Sequence, residues 1–149
     1  MNVNEDKHEG ACFCGQVRLE VTGKAVVSGY CHCHSCRKWH AAPINAWTLW
    51  PSDAVQIIAG EDKVHAFNLQ GEGGTSTRLS CTSCGGAVAN MKPQLSMTIV
   101  YAMTLADSSY KFEPALHIFY AERVEDMSDS LPKFVDVPTE YGGSGELIE

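Results

Sequence analysis

Tyr30-Cys31-His32-Cys33-His34-Ser35-Cys36-Arg37-Lys38 crowds three thiols into one short stretch, in the order Cys-x-Cys-x-x-Cys. Working outward, the other four cysteines form two tight pairs, Cys12-Phe13-Cys14 and Cys81-Thr82-Ser83-Cys84, and none lies elsewhere. Thiolates one or two residues apart can chelate one ion with little loop strain, and separate clusters then tie distant segments to it. Structural zinc is closed by four protein ligands, whereas three leave a position open for a substrate. Seven cysteines therefore predict two zinc ions per chain, one sealed and one open. Disulfides fit less well, because the count is odd, no export signal precedes them, and a domain of this size does not depend on covalent staples.

A chain of 149 residues, 44% hydrophobic and 19% charged, is large enough for one real core and leaves no room for a second domain. The net charge of −7 and pI near 5.3 argue against nucleic acid, whose phosphates need clustered Lys and Arg. Residues 1–10 lack the apolar centre of a signal peptide, and no uncharged run is long enough to cross a bilayer. The expected partners are thus small molecules rather than nucleic acid or membrane, and the expected location is cytoplasmic. Nothing in the sequence bears on oligomeric state.

Apolar residues alternate more than they follow a helical period. Val17, Leu19 and Val21 alternate with Arg18 and Glu20 as a half-buried strand ending at Gly23. Residues 44–50, stopped by Pro51, predict another, and further strands are expected at 55–58, 64–67, 75–79, 87–89, 97–101 and 117–122. Gly60, the Gly71, Gly73 and Gly74 cluster, and Pro93 mark turns. Helix is expected only around 35–40 and 104–109. If Cys12/Cys14 and Cys81/Cys84 share one ion, it pins the first strand to the chain near residue 80. Residues 135–149, with Gly142, Gly143 and Gly145, predict a mobile tail.

The ordered motifs Gly10-Ala11-Cys12-Phe13-Cys14-Gly15, Tyr30-Cys31-His32-Cys33-His34-Ser35-Cys36-Arg37-Lys38 and Cys81-Thr82-Ser83-Cys84-Gly85 resemble the glutathione-dependent formaldehyde-activating enzyme family, also called the GFA or CENP-V domain. Ala42-Pro43, Ala46-Trp47, the Gly60 turn, Arg78, Pro114 before His117-Ile118, and Leu131-Pro132 sit in the family's order, so the resemblance covers about residues 10–134. It implies a mainly β, β-tent type fold of small antiparallel sheets stapled by zinc, with residues 1–9 as an N-terminal extension. It also implies a structural zinc on Cys12, Cys14, Cys81 and Cys84 and an open zinc on Cys31, Cys33 and Cys36. The chain departs from the family pattern at Ala41, usually Gly, at Ser80, usually aromatic, and at Met127, often Trp.

Three thiolates give zinc a formal charge of about −1 and blunt its ability to activate water, so the open ion suits a soft fourth ligand such as a small thiol. The leading expectation is a carbon-sulfur lyase or synthase that adds glutathione to a small aldehyde such as formaldehyde, with Cys31, Cys33 and Cys36 at the catalytic centre. Glutathione brings two carboxylates, for which Arg37 and Lys38, with Arg78 behind them, are the candidate cations; the alternative is that all three are solvated surface residues. His32 and His34 are candidates for a fourth ligand or a proton carrier, against simple loop-orienting or solvent-facing roles. His117 is expected to be structural, and Trp39, Trp47 and Trp50 to be core. Two other functions fit the same residues. One is zinc-dependent hydrolysis or addition at an imine or other small electrophile, with His32 or Asp107 shuttling a proton. The other is a non-catalytic zinc-stapled binding module, disfavoured by the lack of basic segments.

Overall fold

A computed structural model describes residues 6–69, 76–105 and 109–149. Among them ten strands fall in two sheets, with one short α-helix and several 3-10 turns, so the protein is mainly β. Its contacts group the chain into two compact units, 1–26 with 48–112 and 27–47 with 113–149.

The first unit contains β1 (Lys7–Ala11), β2 (Arg18–Thr22) and β5 (Val55–Ala59) as an antiparallel sheet in the order β1-β2-β5. Along β2 the expected alternation holds: Leu19 and Val21 are fully buried while Arg18 and Glu20 reach the surface. β6 (Val64–Phe67), β7 (Thr77–Cys81), β8 (Ala87–Lys92) and β9 (Met97–Tyr101) follow as an antiparallel meander. Val17, Leu19, Val21, Trp50, Val88 and Val100 pack as its core. Burying each such side chain stabilises by roughly 1.5–3 kcal/mol. The indole N–H of buried Trp50 donates to Thr48 Oγ1 at 2.7 Å, and that hydroxyl donates to the Val100 carbonyl at 2.7 Å. No polar atom of that trio is left unpaired in the core.

The second unit contains β3 (Val27–Cys31), α1 (His34–His40), the start of β4 (Asn45–Pro51) and β10 (Leu116–Ile118). β10 runs parallel to β3, pairing Leu116 with Gly29, His117 with Tyr30 and Ile118 with Cys31. This pairing departs from the expected all-antiparallel sheets. The segment read as a mobile tail makes backbone bonds into this unit, Phe119 N–H to Asp136 O at 2.8 Å, Val135 N–H to Glu146 O at 2.8 Å and Ile148 N–H to Lys133 O at 2.8 Å.

Several boundaries move. The strand expected at 117–122 ends at Ile118, because Phe119 adopts φ 52 and turns the chain into a 3-10 turn over Tyr120–Glu122. The helix expected at 104–109 is a 3-10 turn over Ala102–Leu105, with 106–108 outside the described residues. The strand expected at 75–79 is β7, two residues later, with residue 75 outside the described residues, as are Gly71, Gly73 and Gly74. Two strands have no counterpart in the sequence reading. β1 begins within the stretch read as an N-terminal extension and has no apolar alternation, and β3 is interrupted by Ser28 and Gly29. No helix among the described residues is long and apolar enough to cross a membrane.

Candidate metal centres

Cys12 and Cys14 sit on the turn that closes β1, and Cys81 and Cys84 on the turn after β7. Both turns are built alike. In the first, Gly15 N–H donates to Cys12 O at 3.1 Å and Cys12 N–H to Val17 O at 3.0 Å. In the second, Gly85 N–H donates to Cys81 O at 2.7 Å and Cys81 N–H to Gly86 O at 3.0 Å. Gly15 and Gly85 take φ of 82 and 74, a conformation that glycine adopts without strain, so each chelating pair is followed by the residue its turn needs.

These turns bring four thiols together, all sulfurs within 4.8 Å of one another. Cys14 Sγ lies 3.7 Å from Cys12 Sγ and 3.9 Å from Cys81 Sγ. A tetrahedron with metal–sulfur bonds of 2.3 Å has edges of about 3.8 Å, whereas a disulfide would be about 2.05 Å. The spacing fits zinc, and all seven cysteines are free thiols. Backbone N–H groups of Val17, Ser83 and Gly86 donate to Cys12, Cys81 and Cys84 at 3.4, 3.3 and 3.4 Å, stabilising the thiolate forms. Burial opposes ionisation of Cys12, but the Val17 N–H and its thiol neighbours bring it down to about 6. Although closed by count, this centre reaches the surface: Cys14 is exposed and Phe13 between the ligands is 92% exposed.

Cys31, Cys33 and Cys36 form the second group, their sulfurs likewise within 4.8 Å. Cys31 ends β3, Cys33 is the N-cap of α1, and Cys36 lies in its first turn. The Cys33 thiol accepts from Cys36 N–H at 3.3 Å, so the cap and the ligand pair are one device. Cys33 and Cys36, then burial, push the Cys31 thiol well above its ordinary range. Three such thiols release their protons together only when a cation takes their place. Among the described residues no His, Asp or Glu joins this group as a fourth ligand.

His32, between two of these ligands, is fully buried and stands outside the thiol group. Its Nε2 is 2.8 Å from Nδ1 of His117, also fully buried, and His117 Nε2 is 2.9 Å from Asp129 Oδ2. Asp129 also receives Lys133 Nζ at 2.9 Å and Leu131 N–H at 3.0 Å. Burial resists ionisation of Asp129, but Lys133, His117 and the Leu131 N–H hold its carboxyl down to about 2. A carboxylate only accepts, so His117 Nε2–H donates to it, and one proton is shared between His117 Nδ1 and His32 Nε2. Burial, then His117, lowers His32 to about 4, and its buried Nδ1 has no hydrogen-bond partner among the described residues. Tyr120 meets both imidazoles edge-on, at 4.9 and 5.3 Å, and Tyr30 stacks on His117 at 5.1 Å.

The remaining candidates separate clearly. A cavity of about 350 Å³ is lined by His34, Arg37, Lys38, the Ala41-Ala42-Pro43 turn and Val124. Arg37 Nε donates to the His32 carbonyl at 3.0 Å, and His34 N–H donates to Glu122 at 2.8 Å. His34 is exposed, while Trp47 and Trp50 are buried. Arg78 lies in β7 opposite Phe67 and Asn90. Asp107 is outside the described residues. Of the three departures, Ala41 takes the left-handed C-cap of α1, Ser80 pairs with His65, and Met127 N–H donates to Tyr120 Oη at 2.7 Å. Asp129 was not singled out in the sequence, where its only local signal is a carboxylate four residues before Lys133.

A family model described as "Glutathione-dependent formaldehyde-activating enzyme" matches residues 7–122. Among solved structures, a Rhodobacter sphaeroides protein of known crystal structure is similar, with a TM-score of 0.52 and 19% identity, over 66% of this chain and 88% of its own. That likeness shows the fold alone. No curated protein matches the chain. With the family model spanning all three cysteine clusters and most of the sequence, the chain belongs to the glutathione-dependent formaldehyde-activating enzyme family.

Proposed function

We propose that the chain is a zinc-dependent enzyme that adds a thiol, glutathione by family precedent, to a small aldehyde such as formaldehyde. The observation that carries this reading is the convergence of Cys31, Cys33 and Cys36 without a fourth protein ligand among the described residues, at the start of the helix whose residues also line a cation-bearing cavity. When bound there, zinc supplies a soft cation that favours the thiolate form of an incoming thiol at neutral pH. The four-thiol group of Cys12, Cys14, Cys81 and Cys84 serves as the structural site.

The chain's own residues then have distinct tasks. Cys33 caps α1 and sets the angle at which Cys36 enters the centre. Arg37 keeps its Nε on the His32 carbonyl, leaving the outer end of its guanidinium to the cavity, where with Lys38 it binds glutathione carboxylates. Glu122 holds the His34 N–H and with it the first turn of α1. Ala42, Pro43 and Val124 give the cavity an apolar part of its wall.

The test is to load the chain with cobalt and titrate glutathione. A change in the thiolate-to-metal absorption, together with adduct formation faster than the uncatalysed reaction by NMR, is the expected result. An unchanged spectrum at saturating glutathione overturns the thiol-binding reading.

A further inference from the structure

We propose that Asp129 and His117 are positioning residues of the three-thiol centre, holding the His32 ring in one orientation and thereby the Cys31-His32-Cys33 segment that carries two of its three ligands. The inference rests on the reading of Cys31, Cys33 and Cys36 as a metal centre. His32 is anchored at three points. Its N–H donates to the Ile118 carbonyl at 3.1 Å, its carbonyl accepts from Arg37 Nε at 3.0 Å, and its ring bonds His117 at 2.8 Å. The first two anchors set where the backbone passes. The third is the ring's hydrogen bond, and in a fully buried, close-packed site a held ring restrains the residue between the two ligands.

The chain of bonds behind that ring is continuous. Asp129 accepts from His117, His117 bonds His32 through its other nitrogen, and Lys133 and the Leu131 N–H hold Asp129 in place. Register supplies the geometry, since β10 places His117 beside Tyr30 and Ile118 beside Cys31. Partners one step removed from metal ligands commonly change metal affinity 10- to 100-fold when mutated. Here the chain acts on the segment rather than on a ligand atom, so the lower end of that range applies.

The experiment uses the full chain loaded with cobalt at both centres. Release of each ion to a chelator is followed by its absorption in the parent, Asp129→Ala, Asp129→Asn and His117→Gln. Asp129→Ala and His117→Gln should speed release from the three-thiol centre about tenfold and shift its d–d bands. The four-thiol ion should leave at the parental rate, an internal control that a general loss of stability would not preserve. Asp129→Asn retains an acceptor for His117 and should stay within about twofold of the parent, because orientation rather than charge is at stake. Parental spectra and release rates in Asp129→Ala overturn the proposal, as does equal acceleration at both centres. Asp129 lies at the rim, so that variant decides the matter even where His117→Gln does not fold. A parent that binds no cobalt at Cys31, Cys33 and Cys36 overturns the metal reading itself, and the positioning role with it.

Discussion

Ala41 ends α1 at φ 51 and ψ 44, in the left-handed region, while the next residue's N–H closes the turn on the Arg37 carbonyl at 3.2 Å. An alanine pays roughly 1–2 kcal/mol for that conformation, because its Cβ crowds the following carbonyl. Glycine has no Cβ, but it brings about 0.4–1 kcal/mol of extra unfolded-chain entropy. Ala41 is exposed, so the substitution sacrifices no buried packing. The difference predicts that Ala41→Gly stabilises the protein by about 0.5–1 kcal/mol, or about 1–4 °C in Tm for a chain of this length. Urea unfolding of the zinc-loaded protein measures it, with the m-value unchanged. The same replacement relaxes the turn in the cavity wall beside Arg37 and Lys38, without touching a metal ligand. A lower midpoint in the variant would mean that alanine bears no strain at this C-cap, and would refute the account of how α1 ends.

The protein should carry two zinc ions, and Cys81→Ser or Cys33→Ser should each reduce the count to one by atomic absorption. Cys81→Ser should also lower Tm by about 10 °C or more, since the four-thiol group joins segments 67 residues apart. Lys38→Ala should raise the KM for glutathione about threefold with kcat within about twofold, measured by initial rates; a change confined to kcat would remove Lys38 from substrate binding. Asp129 has a folded pKa of about 2, below the ordinary 3.8. Its contribution is therefore complete above about pH 5 and disappears as the pH falls through 3.8 toward 2. Allowing for a side chain 31% exposed, Asp129→Asn should cost about 1–2 kcal/mol at pH 6, and the gap to the parent should close near pH 2 in urea titrations. A gap that widens on acidification contradicts the assignment.

Local chemistry was legible. β2 could be read because Leu19 and Val21 alternate with charged neighbours, and the helical turn expected at 35–40 falls within α1. β1 and β3 could not, since Lys7-His8-Glu9 and Ser28-Gly29 show no apolar rhythm and become strands only through pairing with β2 and β10. The end of β10 escaped notice for a similar reason, as nothing in Phe119 itself announces a left-handed turn.

The sequence by itself determined that seven thiols divide into clusters at chelating spacing, an odd number for four-ligand sites, because chelation depends on spacing within a few residues. Tertiary structure decided that Cys14 meets Cys81 across 67 residues, that His32 turns away from the thiols, and that its ring meets His117 across 85. Those contacts arise from strand register and burial, which set the energy of a pair of distant groups only once the chain between them has folded.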